Sequence, residues 1–215
     1  DTLYSPMEAV ALVKENATAQ FDETVELHIK TGLDGRHADQ QIRGSVVLPH
    51  GIGKEVRVLV FAEGEAATIA STAGADEVGS DDLIQRVADG YLGFDVVLAR
   101  RELMGKVGGL GRVLGPRGLM PNPRTNTVLT EDNLARGVEE AKSGRVDFRL
   151  DRTNLMHCII GKASFQVDQL GDNLRAMIGE IMRSRPTGAK GQVIRGATLT
   201  STMGPGVPLD VNQML

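Results

Sequence analysis

The side chains with most chemical potential fall in a few short stretches. From Gly105 to Gly118 runs Gly-Lys-Val-Gly-Gly-Leu-Gly-Arg-Val-Leu-Gly-Pro-Arg-Gly, whose bare backbone amides could approach a phosphate. The spacing argues against that use. A Walker loop needs Gly-Lys-Ser/Thr at the head of a helix, and no glycine in this chain precedes a lysine followed by Ser or Thr. Gly109, Gly111 and Gly115 are spaced one residue longer than the dinucleotide fingerprint, with Pro116 directly behind. A structural loop packed on its own domain is the expectation. His157 and Cys158 are adjacent, but neighbours on a strand point to opposite faces and cannot share a proton, so one should be at the surface and the other in the core. His28, His37 and His50 have no metal spacing with cysteine or carboxylate partners. Glu26 has no nucleophile or second acid placed near it by the sequence. No catalytic residue, metal or cofactor is expected.

A different chemistry is open to the alternating stretch Thr24, Glu26, His28, Lys30 and to the C-terminal run Thr200-Ser-Thr-Met-Gly-Pro-Gly. Short hydroxyl side chains, a methionine and exposed glycine backbone can fit closely against a nucleic-acid groove. Double-helical RNA is read by shape and by 2′-hydroxyls across its shallow minor groove, which does not demand a strongly basic surface. A carboxylate such as Glu26 would then add specificity by accepting from a 2′-hydroxyl or a guanine amino group. The competing reading of Thr24 to Lys30 is a solvated strand face, and spacing alone does not choose between the two.

The elements that would position these residues can be read from periodicity. Ser5, Pro6 and Glu8 open a helix that should end near Thr18. Phe21 to Thr31 alternates as a half-buried strand, Asp34-Gly35 marks a turn, and Gly44 to Leu48 is a second strand before Pro49-His50-Gly51. The texture then changes. Nearly continuous apolar strands at Val56–Phe61 and Phe94–Ala99 alternate with helices at Ala66–Ala73, Asp81–Asp89 and Thr130–Ala141, the pattern of a parallel sheet covered on both faces. From Arg145 the first texture returns, with Val146–Leu150 and Leu155–Ile160 read as a hairpin, a helix through Leu170 to Ile181 ended by Pro186, and a last strand over Gln192–Thr202. The expected fold is α/β with two domains. Residues 1–51 and 144–215 form a split β-α-β two-layer domain, into which residues 52–143 insert as a doubly wound, Rossmann-like three-layer domain. The two crossings, at His50-Gly51 and Ser143-Gly144, should act as a hinge.

Composition bounds the class. At 215 residues with 41% hydrophobic and 24% charged residues, the chain can bury the cores of two small domains. It has no run of 18 apolar residues to enter a membrane, and its single cysteine gives neither an internal disulfide nor a metal framework. The net charge of -4 is unusual for a nucleic-acid partner, but it is unevenly spread. Residues 144–215 carry 9 basic and 6 acidic groups, and between Gly105 and Arg124 stand Lys106, Arg112, Arg117 and Arg124 with no acid among them. An anion-attracting surface belongs there.

Six stretches in chain order carry a resemblance: Phe21-Asp-Glu-Thr-Val-Glu, Asp39-Gln-Gln-Ile-Arg-Gly, Val47-Leu-Pro-His-Gly, Leu114-Gly-Pro-Arg-Gly-Leu-Met-Pro-Asn-Pro, Gly161-Lys-Ala-Ser-Phe and Thr200-Ser-Thr-Met-Gly. Over nearly its whole length the sequence resembles the family of the first large-subunit ribosomal protein, the protein of the mobile stalk. The resemblance implies a non-enzymatic, monomeric constituent of the large subunit. Such a protein holds large-subunit ribosomal RNA at the stalk mainly through the split domain, and assists movement and release of deacylated tRNA from the exit site. It implies RNA contacts at Phe21, Thr24, Glu26, Lys30, Asp151, Lys162, Ser201, Thr202, Met203 and Gly204, to which Arg36, Arg43 and Arg152 are added for their charge. Similar bacterial members also repress translation of their own mRNA. The family usually has a further basic helical stretch ahead of the residues matching Tyr4 onward, whereas this sequence starts at Asp1. Its character fits a ribosome of bacterial cytoplasm or of chloroplast stroma alike. Two other readings stand beside this one, a nucleotide-using α/β enzyme built on the inserted domain and a hinged module that clamps a protein.

Overall fold

The computed structural model describes residues 2–186, 188–189 and 191–213. In chain order the elements are α1 (Pro6–Glu15), β1 (Thr24–Thr31), β2 (Arg43–Val47), β3 (Val58–Phe61), α2 (Glu65–Thr72), β4 (Glu77–Gly79), α3 (Asp81–Ala88), β5 (Val96–Arg100), α4 (Met104–Val107), α5 (Gly111–Leu114), β6 (Val128–Leu129), α6 (Glu131–Lys142), β7 (Arg145–Arg149), β8 (Leu155–Lys162), α7 (Val167–Arg183), β9 (Ile194–Ser201) and β10 (Val207–Leu209). The fold is α/β with both antiparallel and parallel sheets. The chain forms two compact units, one made of the residues up to Lys54 with those from Gly144 onward, the other of Glu55–Ser143.

In the first unit a four-stranded antiparallel sheet has the order β10-β9-β1-β8. Central strand β1 alternates strictly. Val25, Leu27, Ile29 and Thr31 are buried, whereas Thr24, Glu26 and His28 are half-buried and Lys30 is exposed. The buried face lies against α1 and α7. Helix α1 starts on a capping box in which Ser5 and Glu8 satisfy each other's backbone amides, with Pro6 pre-set in the first turn. Helix α7 buries Leu170, Leu174, Met177, Ile178 and Ile181 along one side, and Gly171 lets Met7 of α1 approach so closely that a β-carbon would lie 2.7 Å from its sulfur. Strands β2 and β7 pair in a separate two-stranded sheet, where Gly44 leaves room for the Phe148 ring.

The second unit is a parallel sheet of order β4-β3-β5-β6, and every residue of β3 is buried. Helix α2 packs on α6, and α3 on α4.

Three expectations are corrected. β7 and β8 are not a hairpin: β7 pairs with β2 and β8 with β1, and the turn between them is closed by the Asp151 amide donating to the Leu155 carbonyl (2.9 Å). A local reading of two strands flanking a turn cannot see that each has a better non-local partner. The stretch after β5 is not a loop. Arg101 to Leu114 runs as consecutive short helical turns, because Leu103, Val107, Leu110 and Leu114, at helical spacing, are all buried in this unit's core. That burial outweighs the poor helix propensity of the glycines. Finally, the first strand begins at Thr24 rather than Phe21, and a strand not foreseen, β10, forms one sheet edge.

Candidate nucleic-acid interface

Three segments of the first unit meet at the Thr24 end of β1. The Thr24 amide donates to Thr202 Oγ1 (3.0 Å), whose hydroxyl lies 3.3 Å from the Thr24 carbonyl oxygen and can donate back to it. The Met203 amide donates to Glu23 Oε2 (2.8 Å). Glu23 Oε1 accepts from the Ala19 amide (3.0 Å), and Ala163 N donates to the Glu23 carbonyl (2.8 Å). Glu23 is buried, and the Ala19 and Met203 amides, with the Ser201 hydroxyl, hold its carboxyl below the ordinary range against the opposing effect of burial. Asp22 accepts from the amide and hydroxyl of Ser164 (3.0 and 2.8 Å), while Lys162 Nζ donates to Thr24 Oγ1 (2.9 Å) and to the Asp22 carbonyl (3.2 Å). The Ser201–Gly204 turn is closed by the Gly204 amide on Ser201 Oγ (3.1 Å), and a β-carbon on Gly204 would lie 2.4 Å from that oxygen.

These bonds display apolar side chains to solvent. Phe21 is 55% and Met203 73% exposed, on the two segments that Glu23 ties together, and Ile159, facing Glu26 across the β1–β8 ladder, is 39% exposed. Phe21 and Met203 are thus large apolar groups left in the open on segments anchored by the buried Glu23 carboxylate. From this corner the outer face of the sheet continues through Glu26, His28 and Lys30 of β1, His157 of β8, and Thr198 and Thr200 of β9. His28 Nδ1 and His157 Nδ1 lie 2.7 Å apart, so one proton at most can stand between them. Burial first, then His157, lowers the His28 pKa, and Glu26 opposes the shift. Cys158, on the other face, is buried, and burial pushes its thiol up to about 12, which leaves it inert.

The expected contact residues therefore divide. Phe21, Thr24, Lys162, Thr202, Met203 and Gly204 are brought together, with Glu26 and Lys30 along the same face. Ser201 differs from these: it is 2% exposed, and its hydroxyl is turned inward to Gly204 and Glu23, where it shapes the turn. Asp151 and Arg152 lie in the turn beside Thr31, roughly 23 Å along β1 from Thr24 at about 3.3 Å per residue. The Asp151 carboxylate is taken up by the Thr153 and Leu155 amides and the Thr153 hydroxyl, which hold its pKa down although burial pushes the other way. Arg36 is exposed next to Gly35, which packs on the Asp151 carbonyl, so it belongs to that far end too. Arg43 sits on β2, opposite Arg149 in the two-stranded sheet. Residues that sequence reasoning missed are Asp22, Glu23 and Asn173; acids ahead of a strand and an asparagine within a helix carry no local signal of such bonds.

Asn173 bears on the crossings. It is fully buried in α7 and accepts from the His50 amide (3.0 Å) while donating to the Gly51 and Ile160 carbonyls (3.0 and 2.8 Å). His50 and Gly51, expected at a hinge, are thus fastened inside the first unit, and the chain leaves it after Lys54. Gly144, with φ +94°, backs so tightly on Gly51 that a β-carbon would lie 2.5 Å from its Cα, and Ser143 caps α6 through the Glu139 carbonyl.

The family model for the ribosomal protein L1p/L10e family matches residues 13–205. The chain belongs to that family. It therefore has the structural role of a ribosomal protein and is not an enzyme. Relatives of this L1-family chain include the large ribosomal subunit protein uL1 of Chloroflexus aggregans, 56% identical over 209 residues (97% of this chain, 88% of the relative). Those of Dehalococcoides mccartyi and Beutenbergia cavernae are each 54% identical, over 208 residues (97% and 88%) and 213 residues (99% and 89%). Beyond the ends of β3 and β4, where an open parallel sheet would hold a nucleotide, stand the carboxylates Glu63 and Asp81, bound to Ser80 and Lys106.

Proposed function

We propose that the first unit binds large-subunit ribosomal RNA at the mobile stalk through the corner where Phe21-Asp22-Glu23-Thr24 meets Ser201-Thr202-Met203-Gly204. The observation that carries this reading is the pair of ties from Thr24 to Thr202 and from Glu23 to Met203, which fix two distant segments as one platform with Phe21 and Met203 outward. Such a platform presents hydroxyls, a lysine and exposed apolar groups but little net charge, which suits a shallow RNA minor groove read by shape and 2′-hydroxyls. Glu26 accepts from the RNA, Lys30 and Lys162 neutralise phosphates, and Ser201 holds the turn. Arg36, Arg152 and the turn shaped by Asp151 touch the same RNA further along; Arg43 contributes charge only.

On this reading the split unit is a two-layer β-α-β RNA-binding domain and the inserted unit a doubly wound, three-layer domain of Rossmann-like form. Residues after Lys54 and at Ser143 act as the hinge that lets the stalk assist movement and release of deacylated tRNA from the exit site. The protein works as a monomer in the ribosome of a bacterial cytoplasm or chloroplast stroma. The same platform would bind a mimic of the stalk site in the protein's own mRNA and repress its translation.

The test is binding to a stalk ribosomal RNA fragment. Thr202→Val with Met203→Ala should weaken it at least tenfold, about 1.4 kcal/mol, with circular dichroism unchanged. Wild-type affinity in a folded double variant removes the platform.

A further inference from the structure

Leu103 to Thr130, in the second unit, contains Lys106, Arg112, Arg117 and Arg124 and no carboxylate, and Arg101 stands just before it. The two acids that bracket this run, Glu102 and Glu131, both pair with Arg100, at 2.7 and 3.0 Å. Lys106 is taken by Asp81. That leaves Arg101, Arg112, Arg117 and Arg124 exposed, and among the described residues none of the four makes an ion pair. A unit with more acids than bases thus keeps one surface on which every uncompensated charge is positive and is an arginine, the side chain suited to bidentate phosphate contact.

Their placement follows from the helical turns. Leu103, Val107, Leu110 and Leu114 face the core, so Arg101, Gly105, Gly108 and Arg112, with the same spacing two residues earlier, lie on the opposite side. Arg101 and Arg112 are then roughly 16–22 Å apart on one face, at about 1.5–2.0 Å rise per residue. No side chain rises between them, and a β-carbon at Gly105 or Gly108 would meet nothing within 4 Å. Arg117 follows on the turn closed by Gly118 N to Gly115 O. Arg124 is held on a rigid turn whose buried Thr125 and Thr127 hydroxyls bond the Asn122 backbone.

We infer that this arginine face is a second RNA-binding surface, which grips the sugar–phosphate backbone of a duplex without reading its sequence. It belongs to the second unit and the Thr202 corner to the first, and the experiment separates the two. The full chain is titrated with an RNA duplex of about 20 base pairs and arbitrary sequence over a salt series. Wild type should bind in low salt. Arg101→Gln, Arg112→Gln and Arg117→Gln together should lower the log–log salt slope by about two to three, at about 0.9 for each phosphate no longer neutralised, and weaken low-salt binding at least tenfold. Made in the Thr202→Val, Met203→Ala background, the same three changes should lower the slope by the same amount, so that duplex bound at the Thr202 corner drops out of the comparison. Thermal unfolding of the triple variant should match wild type, since no ion pair is removed. An unchanged slope in the triple variant overturns the proposal. So does displacement of the duplex by polyglutamate at equal charge concentration, which would mark a surface for acidic proteins.

Discussion

At the level of single residues, Glu23 has more consequence than any exposed group. It is a buried carboxylate that accepts from the amides of Ala19 and Met203, so its charge is satisfied by backbone donors of two segments far apart in sequence. Its folded pKa lies below the ordinary 4.5. A depressed carboxylate contributes stability that is present above the unfolded pKa and is lost as pH falls through the folded value. Glu23→Gln keeps the shape but turns a carboxamide NH2 donor to where the Ala19 or Met203 amide needs an acceptor. We expect denaturant unfolding of this variant to show a weaker loss of stability between pH 5 and 3 than wild type, from a lower starting point at pH 7. Stalk RNA affinity should fall together with it, because the Met203 turn loses its anchor. A variant with wild-type acid sensitivity would show that Glu23 is not what the proton reaches.

Among the elements, the join between the β2 end and β7 shows how backbone geometry rather than side-chain contact sets a structure. Gly144 adopts φ +94° directly against the Gly51 backbone, with Leu48 N donating to its carbonyl at 3.4 Å. Gly144→Ala meets both a left-handed conformation and backbone atoms that cannot swing aside. It should cost more than about 2 kcal/mol, combining the strain of a β-carbon at positive φ with overpacking. Urea unfolding checks this, and a loss under about 0.5 kcal/mol would mean that the Gly51 segment gives way freely. The Arg101–Leu114 run illustrates the opposite balance. Its local sequence is among the worst helix formers in the chain, and four buried aliphatic side chains nonetheless make it helical.

At the scale of the whole molecule, the described residues form two hydrophobic cores, one around β1, α1 and α7, the other around β3, β5 and the Leu103–Leu114 turns. Two cores allow two unfolding transitions. Leu110→Ala should destabilise by about 2–5 kcal/mol, the range for truncating a fully buried leucine, and lower only the transition that belongs to the second unit. Hydrogen exchange resolved by segment would follow it: protection should drop at Val58–Phe61 and Val96–Arg100 and stay unchanged at Thr24–Thr31. Equal loss in both units would show a single cooperative block and would also weaken the proposal of independent hinge motion.

The alternation of Val25, Leu27 and Ile29 with Thr24, Glu26 and His28 is written in residues two apart, so the central strand and its two faces could be read without coordinates; so could the capping box at Ser5, the parallel sheet of the inserted segment, and the family motifs. These features depend on neighbours within one or two turns of chain. What the sequence left undecided depends on partners more than a hundred residues distant. Strand pairing of β7 with β2 and the Asn173 staple on His50 and Gly51 each exist only because non-local groups must satisfy buried donors and acceptors. The platform itself is of this second kind. Its residues were legible one by one, but that Glu23 would bind the Met203 amide, and Thr24 the Thr202 hydroxyl, was decided when the sheet closed around two unsatisfied backbone amides.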